Sequence, residues 1–292
     1  MVTKRSLNDC ESISRRQFLV QVSAAGIGLA TFSIVVSRAD GQVNTTPTEG
    51  LTVTEGKVPS GDFEVPIYEA HPTAAGRYPA VVIIPGMFGM EEFFKDVTRR
   101  LAKEGFLGIT FEPYAREGGV LHLSDPEAVG KVVNPVPDAR VMGDLEAILT
   151  YVKQHRAARS DRIGVTGFSR GGTYTLLFAA RSPEVKAALV WYGQIRLPKP
   201  PGVRTAGPLD VAAQINSPVM GLYGEADASI PVADVKEMEA VLKASGKTAE
   251  FVVYPGAPHG FARGDRPPMY RAEAAKDAWN RCLAWFNNYL KG

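Results

Sequence analysis

The chain has 292 residues, 45% of them hydrophobic, with 33 basic against 31 acidic side chains and a formal net charge of +2. That length buries a sizeable core, and the balanced charge excludes an electrostatic footprint for nucleic acid. The two cysteines, Cys10 and Cys282, stand at opposite ends without metal-ligand spacing, which excludes a disulfide framework and a cysteine metal site.

The first residues read as an address. Arg15 and Arg16 precede Phe18 and Leu19, and the stretch from Gln17 to Ser37 carries no charge. Small Ser37 and Ala39 follow it at cleavage-signal positions. Paired arginines before a moderately apolar run resemble a Tat export signal, a receptor-read address rather than an anchor. Residues 1–39 are therefore expected to be removed, with the Tat machinery as partner of the precursor and a periplasmic or extracellular destination. No stable membrane insertion is expected after cleavage; the alternative is an uncleaved helix about long enough to span a bilayer. Residues 40–50, "DGQVNTTPTEG", read as a polar linker.

From residue 51 onward strand and helix patterns alternate. "YPAVVIIPG" is a short buried strand ended by Pro-Gly. "EEFFKDVTRRLAKEG" carries Phe94, Val97 and Leu101 at helical spacing, with Gly105 as its stop. "FLGITFEPY" predicts a strand, and "DARVMGDLEAILTYVKQHR" an amphipathic helix with Val141, Leu145, Ile148 and Val152 on one face. "DRIGVTGF" is a strand and "GGTYTLLFAAR" a helix; "VKAALVWYG" and "SPVMGLYGE" are further buried strands. "VADVKEMEAVLKASG", "AEFVVYPG" and "YRAEAAKDAWNRCLAWFNNYL" close the chain as helix, strand and helix. Strands that alternate with helices and are apolar throughout predict one α/β domain over residues 51–292, with a mostly parallel sheet covered on both faces. The proline-rich stretches "NPVPD" and "QIRLPKPPGVRTAGP" are expected as loops over the sheet.

Gly167-Phe168-Ser169-Arg170-Gly171 matches G-x-S-x-G, between a predicted strand and a predicted helix. In that context a sharp turn holds the serine oxygen above the sheet edge, and small neighbours make room for it. The bare alternative is that Ser169 is a helix N-cap. A serine nucleophile needs a base, and the chain has four histidines: His71, His122, His155 and His259. His155 is expected on a solvated helix face, His71 in a polar turn and His122 in an irregular stretch. His259 follows the last predicted strand, where sites form in open parallel sheets. With the order Ser, acid, His, the acid comes from "GLYGEADASIP", with Asp227 ahead of Glu225. The backbone N–H groups of Met87, in "IIPGMFGMEEF", and of Arg170 are the expected oxyanion donors.

Together these pieces resemble the dienelactone hydrolase family of α/β-hydrolases. The resemblance runs from about Gly50 to the C-terminus on "GMFGMEEFFKDVTRRLAKEGF", "EPYAR", "GDLEAILTYV", "GVTGFSRGG", "WYG", "GEADASIP" and "PHGFAR", in the family's order. It implies the α/β-hydrolase fold, and a substrate carboxylate held by two arginines at the positions of Arg116 and Arg263. Phe88, Tyr192 and Phe261, in the same motifs, are expected beside the substrate. The sequence departs from the family's best-known members in having Ser169 where they carry cysteine. It also has Gly86 where they carry a glutamate that helps activate the thiol, and Glu112-Pro113 where the family usually has Asp-Leu. A hydroxyl is not switched on by ionisation at neutral pH and needs a histidine base during attack, which makes such a glutamate redundant.

The expectation is an exported serine hydrolase of a small ester or lactone, one bearing a carboxylate such as a dienelactone among them, without metal or organic cofactor. Two alternatives stand beside it: a broad carboxylesterase or amide-type hydrolase with Arg116 and Arg263 structural, and a non-catalytic binding protein on the same fold.

Overall fold

The computed structural model describes residues 45–292. The readings of residues 1–39 as a signal or anchor lie outside the described residues. Among those described, no helix is long and apolar enough to cross a membrane.

The apolar run "YPAVVII" forms β3 (Tyr78–Ile84), buried along almost its whole length. It is flanked by β4 (Leu107–Phe111) and β5 (Ala158–Phe168), both parallel to it. β6 (Val185–Trp191), β7 (Val219–Gly224) and β8 (Ala249–Tyr254) continue the parallel sheet on the β5 side. On the other side an antiparallel hairpin, β1 (Leu51–Ser60) and β2 (Phe63–Pro72), adds itself to β4, giving the order β1-β2-β4-β3-β5-β6-β7-β8. The sequence reading did not anticipate this hairpin. β1 is an edge strand whose side chains are mostly exposed or half-buried, so it has no apolar run to announce it. His71, expected in a turn, is in β2, paired opposite Thr52.

The helices follow the predicted pattern: α1 (Glu92–Lys103), α3 (Asp138–Gln154), α4 (Arg170–Arg181), α6 (Val232–Ala244) and α7 (Ala272–Phe286). Two short ones were not anticipated, α2 (Pro126–Val133) and α5 (Pro208–Val211). α2 is set by its start: the Asp125 carboxylate accepts the N–H groups of Glu127 and Ala128, and Pro126 occupies the first turn, where no N–H is needed. Of the expected linker, the part nearest the domain is anchored. Thr46 donates its N–H to Asp96 Oδ1 at 2.6 Å and accepts from Arg99 Nε at 2.9 Å, both on α1.

This topology gathers chemistry at one edge. The loops after β3, β5, β7 and β8 all leave the carboxyl ends of parallel strands, and they carry Met87, Ser169, Asp227 and His259. Beneath them Phe168 stacks on Trp191 at 4.9 Å and meets Phe93 and Phe94 edge-on, which makes the end of β5 rigid.

Candidate active site

Ser169 sits between β5 and α4 with φ 55° and ψ −120°, a conformation that non-glycine residues rarely hold and that clusters at functional sites. No N-cap bond from its side chain is made, so the oxygen is not spent on capping. The turn closes because of its glycines. A Cβ at Gly167 would lie 2.2 Å from the Gly171 carbonyl oxygen, and one at Gly171 would lie 2.1 Å from that of Ile84. Only glycine allows α4 to start this close to β5 and β3.

His259 Nε2 lies 2.9 Å from Ser169 Oγ, and its Nδ1 lies 2.6 Å from Asp227 Oδ2. An ionised carboxylate only accepts, so Nδ1–H donates to Asp227 and the Nε2 lone pair faces the Ser169 hydroxyl. The other oxygen of Asp227 accepts from Ser229 N at 2.8 Å and Ser229 Oγ at 2.7 Å. Burial works to raise the Asp227 carboxyl, but the hydrogen bonds from His259 and Ser229 outweigh it and hold the group below the usual carboxylate range. Glu225 serves elsewhere: it is exposed and accepts the N–H of Gly256 at 3.0 Å. The remaining histidines have other surroundings. His155 caps the end of α3, half-buried with Nε2 3.4 Å from Glu69, rather than on a solvated face; His71 Nδ1 lies 2.9 Å from Pro72 O; His122 is exposed.

Arg170 is the first residue of α4, so its N–H has no intrahelical acceptor and carries the positive end of the helix dipole. The loop with Met87 packs against the same turn, since a Cβ at Gly86 would lie 3.6 Å from Ser169 Cβ and 3.3 Å from Phe168 O. Glu112 ties that loop down. Its carboxylate accepts Met90 N at 2.8 Å and Tyr114 N at 3.0 Å, and burial pushes it above its ordinary range despite those bonds.

The expected carboxylate clamp is filled from within. Arg116 Nη1 donates to buried Asp144 at 2.7 Å, Nη2 donates to Ser60 O at 2.9 Å, and the guanidinium lies over the Phe63 ring. Arg263 pairs with Asp265 and, at 2.9 Å, with Glu91, and its guanidinium lies 4.4 Å from the Phe93 ring centre. Arg266 takes the second Glu91 oxygen at 2.8 Å and covers Phe88 at 4.5 Å. Arg263 thus belongs to a clasp that joins the histidine loop to the start of α1. Two of the aromatic residues expected beside the substrate are packing residues instead. Tyr192 is 2% exposed, with φ 40°, its ring edge-on to His259 at 5.0 Å; Phe261 is 0% exposed, between Tyr192 and Tyr254. Tyr192 packs against the His259 ring and Phe261 is buried within the histidine loop itself, while Phe88 alone of the three is half-buried.

The sequence reading missed Glu91, α2 and the bonds by which Glu112 holds the Met87 loop. Of these only α2 carried a local signal, Asp125-Pro126. Among the described residues no group of three or more His, Cys, Asp and Glu side chains is placed to hold a metal ion.

A mostly parallel eight-stranded sheet, a strained serine between a central strand and its helix, an acid after β7 and a histidine after β8 define the α/β-hydrolase class. Within that class the chain belongs to the dienelactone hydrolase family, whose model matches residues 65–290. It is 41% identical to a "Putative carboxymethylenebutenolidase" of Methylorubrum extorquens over 98% of this chain and 96% of that protein. It is 34% identical to a "Probable 2-oxo-3-(5-oxofuran-2-ylidene)propanoate lactonase" of a Bradyrhizobium species, over 77% of this chain and 90% of that one. The crystal structure of a "Putative Dienelactone Hydrolase" from Klebsiella pneumoniae superposes with a TM-score of 0.78 at 41% identity, over 82% of this chain and 99% of that one.

Proposed function

We propose that this hydrolase cleaves a small ester or lactone through a covalent acyl-enzyme, with Ser169 as nucleophile. The observation that carries the reading is the unbroken relay Ser169 Oγ–His259 Nε2–His259 Nδ1–Asp227 Oδ2, with links of 2.9 and 2.6 Å. Ser169 Oγ attacks the carbonyl carbon as its proton passes to His259 Nε2. Asp227 keeps the imidazole in the required tautomer and stabilises the imidazolium. The oxyanion takes the N–H groups of Arg170 and Met87. His259 then returns the proton to the leaving oxygen, and water repeats the cycle on the acyl-enzyme. The butenolide and lactone names of the relatives support this substrate class.

Arg116 and Arg263 already hold carboxylates of the protein itself, which favours substrates recognised without that two-arginine clamp. The intact relay speaks against a non-catalytic binding protein. Burst release from a chromogenic ester tests the reading. A burst lost in Ser169→Ala supports it; absent hydrolysis, or hydrolysis that survives Ser169→Ala, overturns it.

The paired Arg15 and Arg16 and the uncharged run after them support export of the precursor through the Tat route. Exchange of both arginines for lysine should leave the protein in the cytoplasmic fraction at its full mass. Unchanged export would refute the route, and a full-mass protein retained in the membrane fraction would favour an anchor.

A further inference from the structure

A cleft of about 380 Å³ opens beside the oxyanion loop, lined by Met87, Pro126, Glu127, Gly130, Lys131, Asn134 and Pro135. Its size is within the range of small-molecule sites. One side is Met87; the opposite wall is α2 and the turn that follows it. None of its lining residues comes from the Asp227 or His259 loops.

The position of that wall is enforced. Arg170 Nη1 donates to Val133 O at 2.9 Å, and Nη2 donates to Asn134 Oδ1. Next in the chain, Asp138 is held by Arg204 through two bonds of 2.6 and 3.0 Å, buried, and its N–H donates to Val203 O at 2.8 Å. The two proline-rich stretches are thereby fastened to each other, and α2 is fastened to the nucleophile turn. The residue that offers its backbone N–H to the oxyanion also holds the cleft wall with its side chain.

Charge and direction narrow the occupant. The formal charges on the lining are Glu127 and Lys131, which pair with each other at 2.9 Å at 78% and 74% exposure. Such a pair cancels itself and attracts an ionic group weakly. The rest of the lining is apolar apart from the Asn134 amide. His259 must reach the leaving oxygen to protonate it, so the leaving group lies on the histidine side. The acyl group leaves the same carbon in another direction, and the cleft beyond Met87 lies on the side away from the Asp227 and His259 loops, none of whose residues line it.

We propose that the cleft between Met87 and α2 is the acyl subsite, that it takes a neutral, largely apolar acyl group, and that the Arg170 side chain is the positioning residue for its wall. This rests on the Ser169 hydrolase reading and deepens it. The test is kcat and KM on 4-nitrophenyl acetate, butyrate and the succinate half-ester, which share one leaving group. Two further buried methylenes are worth about fifteenfold in kcat/KM for butyrate over acetate. The wild-type enzyme should approach that ratio and should prefer butyrate to the anionic succinate. Gly130→Leu, which fills the cleft, should cut the butyrate-to-acetate ratio about tenfold. Arg170→Met keeps the backbone N–H and adds no volume; it should raise the KM for butyrate more than that for acetate. Adding Asn134→Ala to Arg170→Met should cost little more, because both remove the same bond. A ratio unmoved in Arg170→Met, or a wild-type preference for succinate, overturns the subsite while Ser169-dependent hydrolysis stands. Hydrolysis independent of Ser169 overturns the reading beneath it as well.

Discussion

Arg263→Met separates a structural arginine from a substrate clamp. The guanidinium is 8% exposed, pairs with Asp265 and Glu91, and lies over Phe93 and Phe94 at 4.4 and 5.3 Å. Burial pulls its pKa down, but the hydrogen bond with Asp265 and the charge of Glu91 more than reverse that, so the cation is the favoured form. Breaking a buried ion pair by removing one partner costs about 3–5 kcal/mol. Here Glu91 retains Arg266 at 2.8 Å, and the abandoned carboxylates are 22% and 19% exposed, so water relieves part of the penalty. The lower end, about 3 kcal/mol, is expected. For a domain of this size that is a fall in Tm of roughly 6–12 °C. The assay pairs thermal unfolding with kcat and KM on a neutral ester and its carboxylate-bearing counterpart. Both substrates should suffer alike, through a loosened histidine loop. An unchanged Tm with KM raised for the anionic ester alone would refute the clasp and restore the clamp.

Asp227→Asn should lower kcat roughly 10⁴-fold, the scale seen when a triad histidine loses its orienting carboxylate, with little change in KM. The same residue has a pH signature. Its folded pKa lies below the unfolded value near 3.9, so its stabilisation is present above that value and lost as pH falls through the folded one. In urea titrations the stability gap between wild type and Asp227→Asn should therefore narrow below about pH 4; a constant gap would contradict the depressed pKa. Gly171→Ala forces a Cβ to 2.1 Å from the Ile84 carbonyl and should cost about 3 kcal/mol or more, read as a lowered urea midpoint or insoluble protein. Ser169→Cys should give a poor enzyme, since no side chain at Gly86 is present to control a thiolate; full activity in an ester assay would contradict the serine cycle.

The candidate triad was legible because each member sits in a chain-local context. Ser169 is announced by Gly167 and Gly171 between an apolar run and a helix pattern. Asp227 and His259 follow apolar runs, and in a parallel sheet all such runs end at the same edge. The hairpin β1–β2 was not legible. One face of β1 stays wet, and β4, the strand that β2 joins, lies far along the chain. α2 was overlooked despite Asp125 and Pro126, because an eight-residue helix offers too few turns for a periodic apolar face.

Length, the alternation of strands with helices and the order Ser169, Asp227, His259 were enough to set the class of fold and to name the side chains that the structure brings within hydrogen-bond reach. These depend on local backbone preference and on burial of whole segments, both written in neighbouring residues. Partner choice among the charged groups was decided only by tertiary structure. Arg116 meets Asp144, Arg263 meets Glu91 and Asp265, and Arg204 meets Asp138, while Arg170 meets the neutral amide of Asn134. A long flexible cation can reach many carboxylates, and folding selects the one whose pairing repays desolvation in that place. That selection filled the two arginines expected to hold substrate, and it turned Arg170 into the support of a neutral cleft.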